Sequence, residues 1–492
     1  MNEFLRLADH YKQISRMEGI LQMLWWDMET YMPAGAGGER SEQLGILAGQ
    51  IQKMWADGEF FSDWNHCSEN IERLDFSSEQ KSQVSRLGLE LAKRRAISVE
   101  FAGREARLQS ICQNEWKSAR QADDFTLVSS SLAELVGLNR EKADLLSQSQ
   151  FLKSRYGKLD TYSILFDSLE PGFHSSRLQE LFLKLEKGLK QRLPAIMEGS
   201  AGKGEAIPMT VEKQKALYSK LPEKLGMDAS SSRLDESTHP FCGGTRGDVR
   251  ITTRYFANDF SDSMFSVIHE TGHGLYEQGI PKNLWHTPLG QSASFGIHES
   301  QSRFLENQIG RSDAFCRWLS REAEIPFEKL KASVRRVRPG FIRVAADEVT
   351  YNLHVILRWR IEQGLVDGSL RVKDLPEFWS SKFQETMNLK VERDSQGCLQ
   401  DIHWYGGAFG YFPTYTIGNL FAAELYQDFK KALPNWEEKI AAGEFGIVRE
   451  FMRSRVYDQA ALNESPETMK KALDGGRDIG IDAFFEYIEE RY

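Results

Sequence analysis

Apolar residues at three- and four-residue intervals are the feature that most restricts the fold of this chain. They run through residues 2–26, through most of 81–144 and again through 350–366, among charged and amide side chains. This spacing places the apolar residues on one face of a helix. The sequence therefore predicts a mainly α-helical protein.

A short stretch with a different period interrupts the helical pattern. In GDVRITTRYF, at 247–256, Val249, Ile251 and Thr253 alternate with polar residues, as in a strand with one buried face. This stretch stands just before a histidine-containing segment at 266–279, so we expect a small β-sheet beside that segment. GSAGKGEAIP, at 199–208, is predicted to be an exposed loop.

Composition narrows the classes of protein to which the chain can belong. Its 492 residues would suggest about three domains of ordinary size, but no repeat or linker divides them, and we predict one domain, 1–492. A net charge of −9 gives no reason to expect binding to nucleic acid.

No apolar run is long enough to cross a membrane, and no targeting peptide is visible. Five scattered cysteines without a CxxC pair indicate reduced thiols and a cytoplasmic protein.

The segment SVIHETGHGLYEQG, at 266–279, carries two histidines four residues apart. Ser261 or Asp262 can cap a helix that ends near Gly279, and on it His269 and His273 lie on one face, one turn apart. Such a pair can bind a single metal ion. The alternative is two buried histidines that are held by hydrogen bonds.

Glu270 follows the first histidine and points slightly away from it. From there its carboxylate can reach a water held by the metal without binding the metal itself. A zinc ion lowers the pKa of its water toward ~7, and the carboxylate can then take the proton. The HExxH spacing thus favours a hydrolytic zinc site, which cobalt or manganese could also occupy.

A catalytic zinc needs a third protein ligand and one open position. Downstream, SFGIHESQSRFLEN, at 294–307, has a helical pattern with His298 and Glu299 side by side. The residues alone do not choose between these two, since either could face the ion. The chemistry slightly favours Glu299, because two histidines and one glutamate are a known hydrolytic set.

Several motifs, taken together, resemble one family of zinc peptidases. They are HPF at 239–241, DVRIT at 248–252, HETGH at 269–273, HESQ at 298–301, IRVAAD at 342–347 and GCLQDIHW at 397–404, with WWDMETYMP at 25–33 and YSILFDSLEPG at 162–172. In this order they resemble the carboxypeptidase Taq, or thermostable carboxypeptidase, family. The resemblance spans nearly the whole chain.

The resemblance implies a fold, an activity and an assembly. It implies a mainly helical, two-lobed metallopeptidase with a deep central groove and a small sheet beside the active site, as in angiotensin-converting enzyme and neurolysin. It implies a divalent metal, a homodimer, and release of single amino acids from peptides with a free C-terminus. It assigns Glu299 as the third ligand. In the extended gluzincin pattern, an aspartate four residues after the third ligand orients a ligating histidine. Here that position is Arg303, so the partner of the histidine is not identified.

A carboxypeptidase must hold the terminal carboxylate of its substrate, and a guanidinium fits a carboxylate best. Arg250 lies on the predicted strand with Asp248, and Arg343 is expected to begin a helix on which Asp347 and Tyr351 follow on the same face. We favour Arg343 for the carboxylate, and Arg250 and Asp248 for the shape of the groove. The alternative for either arginine is a structural ion pair.

The tetrahedral intermediate of peptide hydrolysis needs hydrogen-bond donors. His403, in QDIHW, and Tyr415, ahead of Tyr411, are the candidates, by analogy with angiotensin-converting enzyme. The glycines of YGGAFGYF would let this loop approach a substrate closely. His239, which precedes Pro240, resembles a substrate-binding residue of the wider superfamily. Core packing is the alternative for His403 and the tyrosines, and a buried loop histidine is the alternative for His239.

The favoured interpretation is therefore a metal-dependent carboxypeptidase with Glu270 as general base. An endo-oligopeptidase or a dipeptidyl carboxypeptidase on the same scaffold is the first alternative, because only the end of the groove would differ. A non-catalytic metal-binding or peptide-binding protein is an alternative of a different class. The position of Glu270 argues against it, since a binding site has no need of a base beside an open metal position.

Overall fold

The structure is a computed structural model that describes residues 2–199 and 204–492. Residues 200–203 of the predicted loop at 199–208 lie outside the described residues, and 204–208 have no helix or strand. In chain order the α-helices are α1 (Asn2–Thr30), α2 (Gly37–Trp55), α3 (Gly58–Glu69), α4 (Ser78–Ala96), α5 (Val99–Ala122), α6 (Ser129–Gln148), α7 (Lys153–Tyr156), α8 (Thr161–Asp167), α9 (Ser175–Glu198), α10 (Val211–Tyr218), α11 (Leu221–Lys224), α12 (Phe260–Gly279), α13 (Phe295–Arg303), α14 (Asp313–Ala323), α15 (Phe327–Val334), α16 (Tyr351–Asp367), α17 (Leu375–Met387), α18 (Phe412–Ala432), α19 (Trp436–Ala442), α20 (Gly446–Arg455), α21 (Ser465–Ala472) and α22 (Asp482–Arg491). The prediction of a mainly helical protein is confirmed.

The chain divides into two compact units, each assembled from segments that are far apart in sequence. Unit 1 contains Met1–Leu91, Glu205–Val334 and Phe421–Ile479. Unit 2 contains Ala92–Gly204, Arg335–Leu420 and Gly480–Tyr492. Because the chain enters each unit more than once, a composition-based search for linkers does not find this division.

The N-terminal helices of unit 1 pack around an apolar core. Helix α1 contributes side chains at helical spacing, which form one buried cluster with residues of α2, α3 and α4. The buried members of this core are Phe4, Leu7, Tyr11, Ile14, Ile51, Trp55, Phe60, Trp64, Cys67, Phe76, Val84, Leu87 and Leu91. Burial of this apolar surface is what stabilises the helical arrangement, because the helices have modest stability in isolation.

Unit 1 also contains a small sheet, as the alternating pattern predicts. Its strands are β1 (Ser232–Glu236), β2 (Cys242–Thr245) and β3 (Asp248–Thr253), in the order β1-β3-β2. The central strand β3 is parallel to β1 and antiparallel to β2. Val249 and Ile251 are buried on its inner face. At Gly244 the backbone has φ +88°, and a Cβ would lie 2.1 Å from the carbonyl oxygen of Asp248, so only glycine fits the turn.

Helix α12 carries the HETGH motif and begins earlier than predicted. The expected caps, Ser261 and Asp262, lie inside the helix, and Asp259 is the N-cap. Its extended backbone (φ −152°) lets the side chain accept a hydrogen bond from the Ser261 N–H at 3.1 Å, which satisfies a free amide of the first turn. The helix ends at Gly279, as predicted, and Pro281 follows soon after.

Unit 2 contains the predicted helix at 350–366, which the structure gives as α16, and most of its side chains are buried. The prediction that a helix begins at Arg343 and runs to Tyr351 is wrong. Arg343–Ala345 is a short 3₁₀ turn, and α16 begins only at Tyr351. Asp347 accepts hydrogen bonds from the Val349 and Thr350 N–H groups at 3.0 and 2.9 Å, which favours a turn at this point.

Two further predictions concern the membrane and the thiols. Across the part of the chain that the structure describes, no helix combines the length and the apolar composition that a bilayer crossing requires. All five cysteines are free thiols, and Cys242 is the one that is not fully buried. Burial raises the pKa of the Cys112 thiol to about 11, so that thiol stays protonated.

Candidate active site

Three side chains of unit 1 point ligand atoms at one position. The Nε2 atoms of His269 and His273 lie 3.8 and 3.6 Å from Oε2 of Glu299, and all three atoms lie within 4.8 Å of one another. Zinc holds such ligands at ~2.0–2.2 Å in a tetrahedral arrangement, which separates neighbouring ligand atoms by roughly 3.5 Å. Two imidazole nitrogens and a carboxylate oxygen at these separations fit a divalent metal. That these three residues are the ligands stays a prediction.

A close crossing of two helices brings these residues together. His269 and His273 lie on α12, and Glu299 lies on α13. Gly272, between the histidines, faces the α13 backbone, where a Cβ would lie 2.6 Å from both the Gln301 carbonyl oxygen and the Ser302 Cα. Gly272, at the second variable position of the HExxH motif, must therefore be a glycine, because any side chain there would push the two helices apart.

The imidazole of His298 makes its hydrogen bond to a carboxylate outside the proposed set of ligands. Its Nε2 lies 3.0 Å from Oε1 of Glu277, and Arg246 pairs with the same carboxylate at 3.5 Å. The His298 ring stacks on His273, with centroids 4.4 Å apart and an interplanar angle of 22°. Of the two neighbours that the sequence left open, His298 therefore supports the ring of His273, and Glu299 faces the ligand position.

Glu306 is a hydrogen-bond partner of His269 that the sequence alone does not identify. Its Oε2 lies 2.8 Å from Nδ1 of His269. This hydrogen bond fixes the proton on Nδ1 and leaves the Nε2 lone pair directed at the ligand position. Glu306 lies in a short π-helix, Phe304–Ile309, that continues α13. Its only signal in the sequence is an acidic residue two helical turns after Glu299.

Arg303 connects the two carboxylates of this helix. Its Nε donates to Oε1 of Glu299 at 2.6 Å, and one terminal nitrogen donates to Oε2 of Glu306 at 3.1 Å. With Oε1 engaged, Oε2 of Glu299 is the atom left for a metal. Arg303 thus orients the carboxylate of Glu299, and a separate glutamate, Glu306, orients His269.

The charges around the ligand position shift the pKa values of the neighbouring groups. Burial alone would lower the pKa of His269, but the carboxylates of Glu299 and Glu306 outweigh it and raise that pKa. Burial raises the pKa of Glu270 to about 7. A carboxyl group with a pKa near the working pH can both accept and return a proton, as a general base must.

A second polar cluster lies within unit 2 and contains Arg343. Asp401 accepts from Nε and a terminal nitrogen of Arg343 at 3.2 and 2.9 Å, and from Nε of Arg358 at 2.7 Å. The hydroxyl of Tyr351 accepts from Arg343 at 2.7 Å. Although burial would raise the pKa of Asp401, the two guanidinium groups hold it well below its usual range. Two buried cations thus face one carboxylate, which leaves an excess of positive charge.

His403 and the two candidate tyrosines lie together beside this cluster. Nε2 of His403 lies 3.2 Å from the Tyr415 hydroxyl, and its ring lies 5.1 Å from that of Tyr411. Burial and the nearby arginines lower the pKa of His403 to about 3. His403 is therefore a neutral hydrogen-bonding group at physiological pH, with one N–H to donate. Asp401 stands within QDIHW, where the sequence indicates no role for it, and Arg358 has no local signal because it lies on a buried helix.

The remaining substrate-binding candidates lie in unit 1. Arg250 donates to both carboxylate oxygens of Asp248 at 3.0 and 2.8 Å, and its guanidinium lies 4.2 Å from the centroid of the Trp26 ring. This pair is therefore committed to one carboxylate and one aromatic face. His239 is exposed on the segment between β1 and β2, so it is not the buried loop residue that packing alone would suggest.

The fold and the first of these clusters define a class of protein. A helical protein that directs two imidazole nitrogens and a carboxylate oxygen at one point, with a buried glutamate beside them, has the features of a metal-dependent hydrolase.

Comparisons with known proteins agree. A model of the carboxypeptidase Taq (M32) metallopeptidase family matches residues 6–492. Thermostable carboxypeptidase 1 of Thermus thermophilus is 34% identical over 504 aligned residues, which cover 99% of this chain and 98% of that protein. Metallocarboxypeptidase 1 of Trypanosoma cruzi superposes with a TM-score of 0.92, and an M32 carboxypeptidase of Deinococcus radiodurans R1 with a TM-score of 0.93. Both structures are 30% identical and cover 100% of this chain and 99% of their own. The chain belongs to the carboxypeptidase Taq (M32) metallopeptidase family.

Proposed function

We propose that this protein is a metal-dependent carboxypeptidase that releases single amino acids from the C-termini of peptides. The observation that carries the proposal is the convergence of His269, His273 and Glu299 on one position, with Glu270 buried beside them. Membership of a metallopeptidase family implies a divalent metal. Zinc is the ion we assign, with cobalt or manganese as alternatives that the same donor set accepts.

Glu270 is the general base of the proposed reaction. A metal held by the three ligands would polarise the peptide carbonyl and make the attacking water more acidic. Glu270 takes the proton from that water and later delivers it to the leaving amine. Its side chain is therefore a carboxylate again at the end of the cycle. Its pKa of about 7 suits both steps, because neither transfer is then strongly uphill.

Residues of unit 2 are proposed to bind the parts of the substrate that carry negative charge. His403 and Tyr415, with Tyr411 as the second choice, donate hydrogen bonds to the oxyanion. Arg343 binds the terminal carboxylate. The excess of positive charge around Asp401 supports this role, since a second carboxylate would balance it.

Other parts of the proposal come from the family resemblance. Asp248, Arg250 and His239 would shape the substrate groove. One catalytic domain over 1–492, with two lobes lining a deep groove as in angiotensin-converting enzyme and neurolysin, stays a prediction. So do the homodimer and the cytoplasmic location, and for the latter the five free thiols fit a reducing compartment.

Mass spectrometry of the products of one peptide, prepared with a free and with an amidated C-terminus, tests the function. We expect stepwise loss of single residues from the free form alone, because only that form offers a carboxylate to an arginine. A sample treated with a chelator is the control and should leave both peptides intact. Equal internal cleavage of both forms would contradict the proposal and indicate an endo-oligopeptidase, and loss of residue pairs would indicate a dipeptidyl carboxypeptidase.

The Glu306→Gln substitution tests the support of the metal site. Removing the charge that holds the His269 Nδ1 proton should lower the affinity for zinc by about 10–100-fold, which calorimetry of the metal-free protein can measure. Glu322→Gln, at an exposed glutamate that pairs with Lys224, is the matched control and should bind zinc like the wild type. An unchanged affinity in Glu306→Gln would show that His269 needs no such partner.

A further inference from the structure

A buried carboxyl group in unit 2 has no role in the reaction described above. Glu362, on α16, is fully buried and receives three neutral hydrogen-bond donors. The Trp404 Nε1 donates to its Oε1 at 2.9 Å. The Tyr162 hydroxyl and the Gly410 N–H donate to its Oε2 at 3.0 and 3.2 Å. Tyr162 belongs to the motif YSILFDSLEPG, to which no function has yet been assigned.

The arrangement of these donors requires a carboxyl group. Both oxygens of Glu362 must accept a hydrogen bond, one from Trp404 and the other from Gly410. A glutamine would turn its NH₂ group toward one of these N–H groups in either orientation of its amide. Burial raises the pKa of Glu362 to about 8, and the protonated form can donate to Tyr162 while it still accepts from Gly410. The contact with Gly410 therefore survives in both protonation states.

The residues held by Glu362 bracket the candidate catalytic segment. Trp404 directly follows His403, and Gly410 directly precedes Tyr411. Gly410 has φ +86°, and a Cβ there would lie 3.0 Å from the Cα of Phe166, so this end of the segment rests on the backbone of α8. His403 and Tyr411 are partly exposed, whereas Trp404 and Gly410 are buried. One buried carboxyl group thus holds both ends of a segment in which His403 and Tyr411 stay partly exposed.

We propose that Glu362 is a positioning residue, which holds residues 403–411 at both ends and so sets where His403, Tyr411 and Tyr415 present their donors. This inference rests on the proposed function of that segment in stabilising the oxyanion. Glu362 itself touches neither substrate nor metal. Its loss should therefore lower kcat, because donors displaced by a fraction of an ångström stabilise the transition state less well. The KM and the affinity for metal should change little.

The test compares three variants of the full-length, zinc-loaded protein. Glu362→Gln should lower kcat by about 10–100-fold, with KM within about threefold of the wild type. Tyr162→Phe should have a smaller effect, because the bonds to Trp404 and Gly410 remain. Tyr487→Phe is the matched control, since it removes another buried hydroxyl of unit 2 that donates to a carboxylate, on Glu348, and it should keep the wild-type kcat.

Hydrogen–deuterium exchange supplies a readout that does not depend on activity. In Glu362→Gln, peptides that cover 403–411 should exchange roughly tenfold faster or more, while those that cover 269–273 should not change. Unaltered exchange, or an unaltered kcat in a variant whose segment exchanges faster, would overturn the inference and leave the proposed function intact. A loss of kcat as large in Tyr487→Phe would also overturn it, because general destabilisation would then explain the effect. A wild-type protein that releases no C-terminal residues would refute the proposed function and this inference with it.

Discussion

Replacing Glu270 with glutamine should lower kcat for peptide hydrolysis by about 10²–10⁴-fold and leave the metal bound. The amide has nearly the same size as the carboxyl group, so the packing of this buried side chain is retained. It has no lone pair basic enough to take a proton from the attacking water. Rates measured on a peptide with a free C-terminus, together with the metal content of the same sample, check both halves of this prediction.

Asp262→Asn provides the control for this experiment. It removes an exposed carboxylate from the first turn of the same helix, α12, and should keep wild-type kcat and metal content. Loss of metal together with activity in Glu270→Gln would mean that Glu270 is a ligand and not the base. Retention of most of the activity would mean that another group accepts the proton.

Replacing Asp401 with asparagine should lower the free energy of unfolding by about 3–5 kcal/mol. The carboxylate is the shared partner of Arg343 and Arg358, whose side chains are 6% and 0% exposed. Asparagine keeps the shape of the side chain but leaves two buried guanidinium groups without a counter-charge. Urea unfolding followed by circular dichroism measures the difference in the free energy of unfolding between the variant and the wild type. The comparison requires that this free energy depends on urea concentration with the same slope in both proteins.

Asp374→Asn is the control for Asp401→Asn, because it makes the same change of side chain in an ion pair that is exposed. Asp374 pairs with Arg371 across an exposed helix turn, where the two side chains are 38% and 68% exposed. Water and salt screen such a pair, so its loss should cost about 0–1 kcal/mol. If Asp401→Asn were no more destabilising than Asp374→Asn, the Asp401 cluster would not be the buried ion network that we describe.

The features that the sequence predicts correctly are those with a local signal. The helical periodicity, the strand at β3 and the end of α12 at Gly279 all follow from patterns that span a few residues. The adjacency of His269 and His273 follows from one turn of helix. The residues alone leave the choice between His298 and Glu299 open, because it depends on how α13 crosses α12 at Gly272.

The features that the sequence could not provide depend on contacts between distant segments. Glu306 reaches His269 through a π-helix, and a π-helix has no reliable sequence pattern. Asp401 and Arg358 meet although they lie 43 residues apart. The expected helix at Arg343 failed because Asp347 forms a local turn that competes with helical hydrogen bonds.

Titration of the metal-free protein with zinc, while release of the C-terminal residue is followed, tests whether hydrolysis depends on one metal ion held by His269, His273 and Glu299. We expect a rate that is negligible without metal, rises in proportion to added zinc and levels off at one equivalent per chain. Glu299→Gln, which weakens one of the three proposed ligands, should need a large excess of zinc to approach its own maximum. A rate that survives removal of the metal would rule out metal-dependent hydrolysis, and a Glu299→Gln variant that saturates like the wild type would rule out Glu299 as a ligand.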